Sequence, residues 1–170
     1  MSHSRKGHDY AKGAKKRFPL LLYALCVLCV SFAVTLLVTK PRLELRDADS
    51  GKRYAAWPIQ DGEEFSIEFI HSVNQSPVRD TFRVDGQLIQ PVATRFYDFG
   101  AGMQTSLETD QRMERDGDAL VITGFTQRFP ALNYIVGTVS DHVLYIQDVA
   151  LSLRDLCGQN AHITVQVIKF

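Results

Sequence analysis

Residues 64–84 read EFSIEFIHSVNQSPVRDTFRV. Phe65, Ile67 and Phe69 alternate with Ser66 and Glu68, the period-two pattern of a strand with one buried face. Val78, Phe82 and Val84 repeat it after Asn74-Gln75-Ser76-Pro77, whose side chains have turn chemistry and whose proline lacks a donor. The stretch therefore predicts an antiparallel hairpin. With Val73 placed opposite Val78, the facing pairs are Ser72–Arg79, His71–Asp80, Phe69–Phe82 and Ile67–Val84. His71 and Asp80 then face each other in the phase of the apolar residues, where ionisable groups must be paired or must line a wet pocket.

The same period recurs downstream. Strands are expected at Leu43–Asp47, Arg53–Ile59, Leu88–Phe96, Ala119–Phe125, His142–Ile146, Val149–Leu153 and Ile163–Phe170. Asp49-Ser50-Gly51, Asp61-Gly62, Asp85-Gly86, Asp116-Gly117-Asp118 and Cys157-Gly158 punctuate them as turns. Pro130–Val136 is apolar without a clear period and reads as either strand or short helix. No long amphipathic helix pattern occurs after residue 40. Residues 41–170 are thus expected to form an all-β domain, a compact antiparallel β-sandwich or barrel.

A different solvent is written into the first forty residues. Phe18–Val38, FPLLLYALCVLCVSFAVTLLV, carries no charge over 21 residues, and a helix needs about 20 to cross a bilayer. The tail before it holds Arg5, Lys6, Lys12, Lys15, Lys16 and Arg17 against the single acid Asp9. Positive charge stays on the cytoplasmic side, so residues 1–17 are expected inside, 18–38 as a transmembrane signal anchor, and 41–170 in the periplasm or its equivalent. A cleaved signal peptide fits less well, because the run is long and ends in LLVTKPRLE without a small-x-small site.

Composition narrows the chemistry. Residues 41–170 hold 12 Lys+Arg and 18 Asp+Glu, a net of −6. Without a basic stripe, nucleic acid is not an expected partner; the lipid bilayer is. Cys26 and Cys29 lie within the apolar run and read as small apolar side chains. Cys157 is the only cysteine after residue 40, so the domain has no internal disulfide and a buried thiol is expected.

Two motifs carry what chemistry the sequence offers. The first is the His71–Asp80 pair, read either as a structural ion pair or as the floor of a binding site. Ser72 is no nucleophile for His71, because neighbouring strand residues point to opposite faces. The second is Tyr97-Asp98-Phe99-Gly100-Ala101-Gly102, where Gly100 and Gly102 permit either a bend or an anion nest of backbone amides. It has neither the G-x-G-x-x-G nor the Walker pattern. His71, His142, His162, Asp80 and Asp141 lack close ligand spacing, so no metal and no cofactor is expected.

His71-Ser72-Val73, Pro77-Val78, Asp80 and Phe82, followed by Phe99-Gly100-Ala101-Gly102, resemble the signature of the bacterial family called domain of unknown function 1850. The likeness spans roughly residues 43–170, with Asp80 where the family often carries Glu and Gln104 where it often carries Pro. The resemblance implies association with tripartite (TRAP) transporters of the TAXI type, through the permease or the solute receptor. It implies no established reaction and no catalytic residues. Two functions of different class follow: an accessory or interaction module serving such a transporter, or a membrane-anchored enzyme using His71 and Asp80 as an acid–base pair.

Overall fold

The computed structural model describes residues 17–38, 40–73, 75–97 and 107–169. The chain divides into two units, residues 1–39 and 40–170. In the first, helix α1 runs Arg17–Val38, and its side chains are described over residues 20–33, all of them exposed. Among the described residues no helix is long and apolar enough to cross a membrane.

The second unit is built from short strands. They are β1 (Arg42–Asp47), β2 (Arg53–Pro58), β3 (Glu64–Ile70), β4 (Pro77–Asp85), β5 (Leu88–Phe96) and β6 (Arg112–Asp116). After these come β7 (Ala119–Thr123), β8 (Ala131–Ile135), β9 (His142–Ile146), β10 (Val149–Ser152), the one-turn helix α2 (Leu153–Cys157) and β11 (His162–Ile168). One sheet has the order β2-β1-β11-β8 and the other β10-β9-β3-β4-β5-β7-β6, with antiparallel pairing throughout. The domain is a sandwich-like all-β fold.

Alternation along each strand builds the interior. Leu43 and Leu45 of β1 and Ile163, Val165 and Val167 of β11 pack in one cluster with Phe65, Ile67, Phe82, Val84, Leu144 and Ile146 of the larger sheet. Each such side chain contributes about 1.5–3 kcal/mol through its removal from water. Val78, Phe96 and Ile122 form a second cluster, against which Phe69 packs. Cys157 is half-buried against the main core.

The β3–β4 hairpin exists, but its register differs from the one expected. Ile70 pairs with Pro77, Phe69 with Val78, Ile67 with Asp80 and Phe65 with Phe82. The connection is therefore a six-residue loop, 71–76, rather than a tight turn at Asn74–Pro77. The His71 amide donates to the Ser76 carbonyl at 2.9 Å, and the Gln75 amide donates to the His71 carbonyl at 2.9 Å. Asp80 thus lies opposite Ile67, four positions from His71, so the two do not face each other.

The physical reason is parity. A shift of four positions leaves every apolar side chain on its own face, so alternation cannot choose between the two registers. The outer face does choose. The observed register joins Glu64 to Arg83 at 2.7 Å, Glu68 to Arg79 at 2.8 Å and Ser66 to Thr81 at 3.0 Å. In the expected register only one of those acids, Glu68, would have met an arginine.

Two further elements depart from the sequence reading, and a third resolves one of its open alternatives. Pro130–Val136 resolves as the edge strand β8. Edge strand β6, RMERD, has a single apolar residue and no period to detect. The end of the Val149–Leu153 run turns into α2, because Ser152 caps the helix by accepting the Asp155 amide at 3.0 Å.

Candidate functional site

The end of β3, the 71–76 loop and the β8–β9 connection enclose a cleft of about 420 Å³. Phe69, His71, Ser72, Thr138, Ser140 and His142 contribute to its lining. Sheet pairing brings these distant segments together: Phe69 of β3 sits opposite His142 of β9. Their rings stack with centroids 5.2 Å apart, and Tyr134 of β8 meets the same imidazole edge-on at 5.9 Å.

The β8–β9 connection folds tightly onto that imidazole. The Gly137 amide donates to His142 Nδ1 at 3.2 Å, which places the proton of the neutral ring on Nε2. A Cβ at Gly137 would lie 2.3 Å from the Ser140 carbonyl oxygen, so only glycine fits this turn. The Ser140 hydroxyl donates to the Ile70 carbonyl at 3.1 Å and ties the connection to β3. Behind the turn, Arg154 Nη2 donates to the Gly137 carbonyl at 3.1 Å, and the Arg154 amide donates to Asp141 Oδ1 at 3.0 Å. Burial holds the His142 imidazole below its ordinary pKa, with the Asp141 charge working against this and the Arg154 charge adding to it.

Asp80 is half-buried within the β3–β4–β5 ladder. It faces Ile67 on β3 and Thr94 on β5, and the Thr94 hydroxyl donates to Oδ1 at 2.7 Å. Burial raises its carboxyl above the ordinary range, and the Thr94 hydrogen bond only partly offsets this. Tyr134 is pushed up as well, first by burial and then by the Asp80 charge. Glu44 provides the contrast. Although fully buried, it accepts from Arg46 at 2.8 Å and Arg53 at 3.1 Å, so burial raises its carboxyl and the two guanidiniums more than reverse the effect. Asp80 has a hydroxyl where Glu44 has two cations.

That difference has a measurable consequence. A carboxyl raised by folding adds stability below its unfolded range and loses it as pH climbs through the folded value. Asp80→Asn keeps an acceptor for Thr94 and carries no charge. The variant should gain about 1 kcal/mol near pH 7, with the gain vanishing near pH 3. Denaturant midpoints at the two pH values check this, and a loss of stability at neutral pH would contradict it.

Of the expected site residues, His71 lines the cleft and Asp80 lies apart from it in the strand ladder. The ladder therefore does not set the two residues of the expected acid–base pair opposite each other. Gly100 and Gly102 lie outside the described residues. His162 is on β11, 4.0 Å from the Asp49 carboxylate, and does not line the cleft. Among the described residues no group of three or more His, Cys, Asp or Glu is arranged to hold a metal ion.

Sequence reasoning missed the role of His142 and of Arg154. Their only local signals are the Gly137 turn and the Asp141-His142 dipeptide at the start of a strand. The sequence profile of the family described as Domain of unknown function (DUF1850) matches residues 65–153, more than half of the 170-residue chain. The match contains every residue of the cleft lining. No curated protein and no solved structure matches the chain.

Proposed function

We propose, from the premise that the chain belongs to the family Domain of unknown function (DUF1850), that it is a membrane-anchored accessory module serving a TAXI-type TRAP transporter. The apolar helix carries this reading. Phe18–Val38 is uncharged and follows a basic tail. Leu21, Leu25, Leu28 and Phe32 are 60–69% exposed along α1. A helix apolar on all sides asks for lipid or for a deep protein interior. In this reading the tail is cytoplasmic, residues 18–38 cross the inner membrane once, and the β domain works outside, against the permease or the TAXI solute receptor. The net −6 of residues 41–170 suits a protein partner and disfavours nucleic acid. The transporter itself enters through the family resemblance.

One experiment tests both halves. A membrane-impermeant, amine-reactive cross-linker is applied to spheroplasts, where Lys40, Lys52 and Lys169 offer amines on the domain side. The expected result is an adduct between this chain and a TRAP permease or receptor. Protection of the domain until the cells are lysed would overturn the topology. A labelled domain that captures no transporter component would overturn the partnership.

A further inference from the structure

Among the described residues the two sheets end in four edge strands, β2 and β8 on the smaller sheet, β10 and β6 on the larger. Three of these edges are blunted against further pairing. β2 carries Arg53 and Pro58 at its ends, and its ladder with β1 shifts register between Leu45 and Arg46. β6 is RMERD, with four charges in five residues. β10 has only four residues and passes straight into α2. β8, ALNYI, has none of these devices. It lies within the uncharged run Phe129–Ser140, whose one proline, Pro130, precedes the strand.

Only half of the β8 backbone is used by its neighbour. The Val136 amide donates to the Ala161 carbonyl at 2.9 Å, and the ladder continues through Tyr134 opposite Ile163 and Leu132 opposite Val165. Alternation then turns the peptide groups of Ala131, Asn133 and Ile135 away from β11, to a side where no described strand pairs with them. The side chains alternate as well. Leu132 and Tyr134 pack against the core, while Asn133 is exposed and Ile135 is 57% exposed. An exposed edge without charge is a template for another strand.

The sequence of β8 selects that strand. Laid antiparallel to a second ALNYI with Asn133 opposite Asn133, it sets Ala131 opposite Ile135 and Leu132 opposite Tyr134. Each exposed isoleucine meets a small alanine, amide meets amide, and no charge meets a like charge. We infer that β8 is a self-pairing edge. Two copies of this chain join through it about a twofold axis at Asn133, fusing two four-stranded sheets into one. About six backbone hydrogen bonds cross the seam, from Ala131, Asn133 and Ile135 of each copy. Asn133 Oδ1 already accepts the Thr164 hydroxyl at 2.9 Å, and its Nδ2 donates to the amide oxygen of the second copy. The inference concerns β8 alone and is independent of the transporter reading.

The test is cysteine trapping in the full chain at about 0.1 mM in detergent micelles. Cys26, Cys29 and Cys157 are first replaced by alanine, so that the only thiol is the one introduced. Facing residues of a hydrogen-bonded antiparallel pair have Cα atoms about 5.5 Å apart, within disulfide reach. Under mild oxidation Asn133→Cys should dimerise about tenfold or more faster than Thr164→Cys, one strand further from the seam. Ala131→Cys and Ile135→Cys should each stay monomeric alone and cross-link when mixed. Asn133→Lys sets two ammonium groups opposite each other and should weaken the association seen by sedimentation about tenfold. Equal trapping at 133 and 164 overturns the inference, as does the absence of both the 133 dimer and the mixed 131–135 product. A dimer indifferent to Asn133→Lys also overturns it, because association then lies on another surface. The 131–135 mixture reads the same register without touching Asn133, so the test stands even if one variant fails to fold.

Discussion

Phe82→Ala should cost about 3–5 kcal/mol, the range for an aromatic side chain deleted from a core. Phe82 is 5% exposed, and its ring stacks on Phe65 with centroids 5.4 Å apart. The deletion removes that partner from the second pair of the β3–β4 ladder. The same residue reports the register. A double-mutant cycle of Phe82 with Phe65 should show a coupling of about 0.5–1.5 kcal/mol. A cycle with Phe69 should show little, because Phe69 pairs with Val78. Denaturant unfolding of the singles and doubles reads both numbers. Strong coupling to Phe69 and none to Phe65 would reinstate the tight-turn register.

Gly124→Ala should cost about 3 kcal/mol or more. Gly124 has φ +86°, which an L side chain rarely adopts, and an added Cβ would lie 2.1 Å from the Asp110 carbonyl oxygen. Strain of this kind is of order 1–3 kcal/mol, and displacing backbone to relieve the contact adds a similar amount. The residue follows the last position of β7, Thr123, which pairs with Arg112 at the start of β6. The expected result is a lowered melting temperature together with faster amide exchange in β6, the edge of the larger sheet. Gly117→Ala is the control. It also has positive φ, at +63°, but nothing lies within 4 Å of its Cβ, so it pays for conformation alone. Equal losses at the two sites would show that the Asp110 contact is soft.

These two cases mark what the sequence discloses and what it conceals. The sequence reading placed β5 and β9 at their observed bounds; in β9 the buried Leu144 and Ile146 are two positions apart, whereas in β5 only Ile89 and Phe96, near its two ends, are fully buried. It missed β6, where four of five residues are charged and only one neighbour strand is present. It found the hairpin but not its register, since a shift of four positions preserves parity and only the Glu–Arg pairs of the outer face break the tie. The cleft was half legible. His71 was marked by its phase, and it does line the cleft. His142 was a histidine beside a strand until β9 paired with β3, bringing it opposite Phe69 some 70 residues away. Arg154 is reached through a backbone carbonyl of Gly137, a contact with no side-chain signature in either residue.

Cys157 shows how burial governs chemistry as well as packing. Desolvation, aided by the Asp47 charge, pushes its thiol up to about 11. At neutral pH the nucleophilic thiolate is then roughly one molecule in ten thousand, about three hundredfold rarer than for an ordinary cysteine. Attack on a disulfide, a peroxide or an oxidised exchange enzyme slows as well, by less than the fall in thiolate, because a more basic thiolate is the stronger nucleophile. The sulfur of Cys157 is therefore kinetically quiet, and the β domain offers an oxidant little to react with at this position.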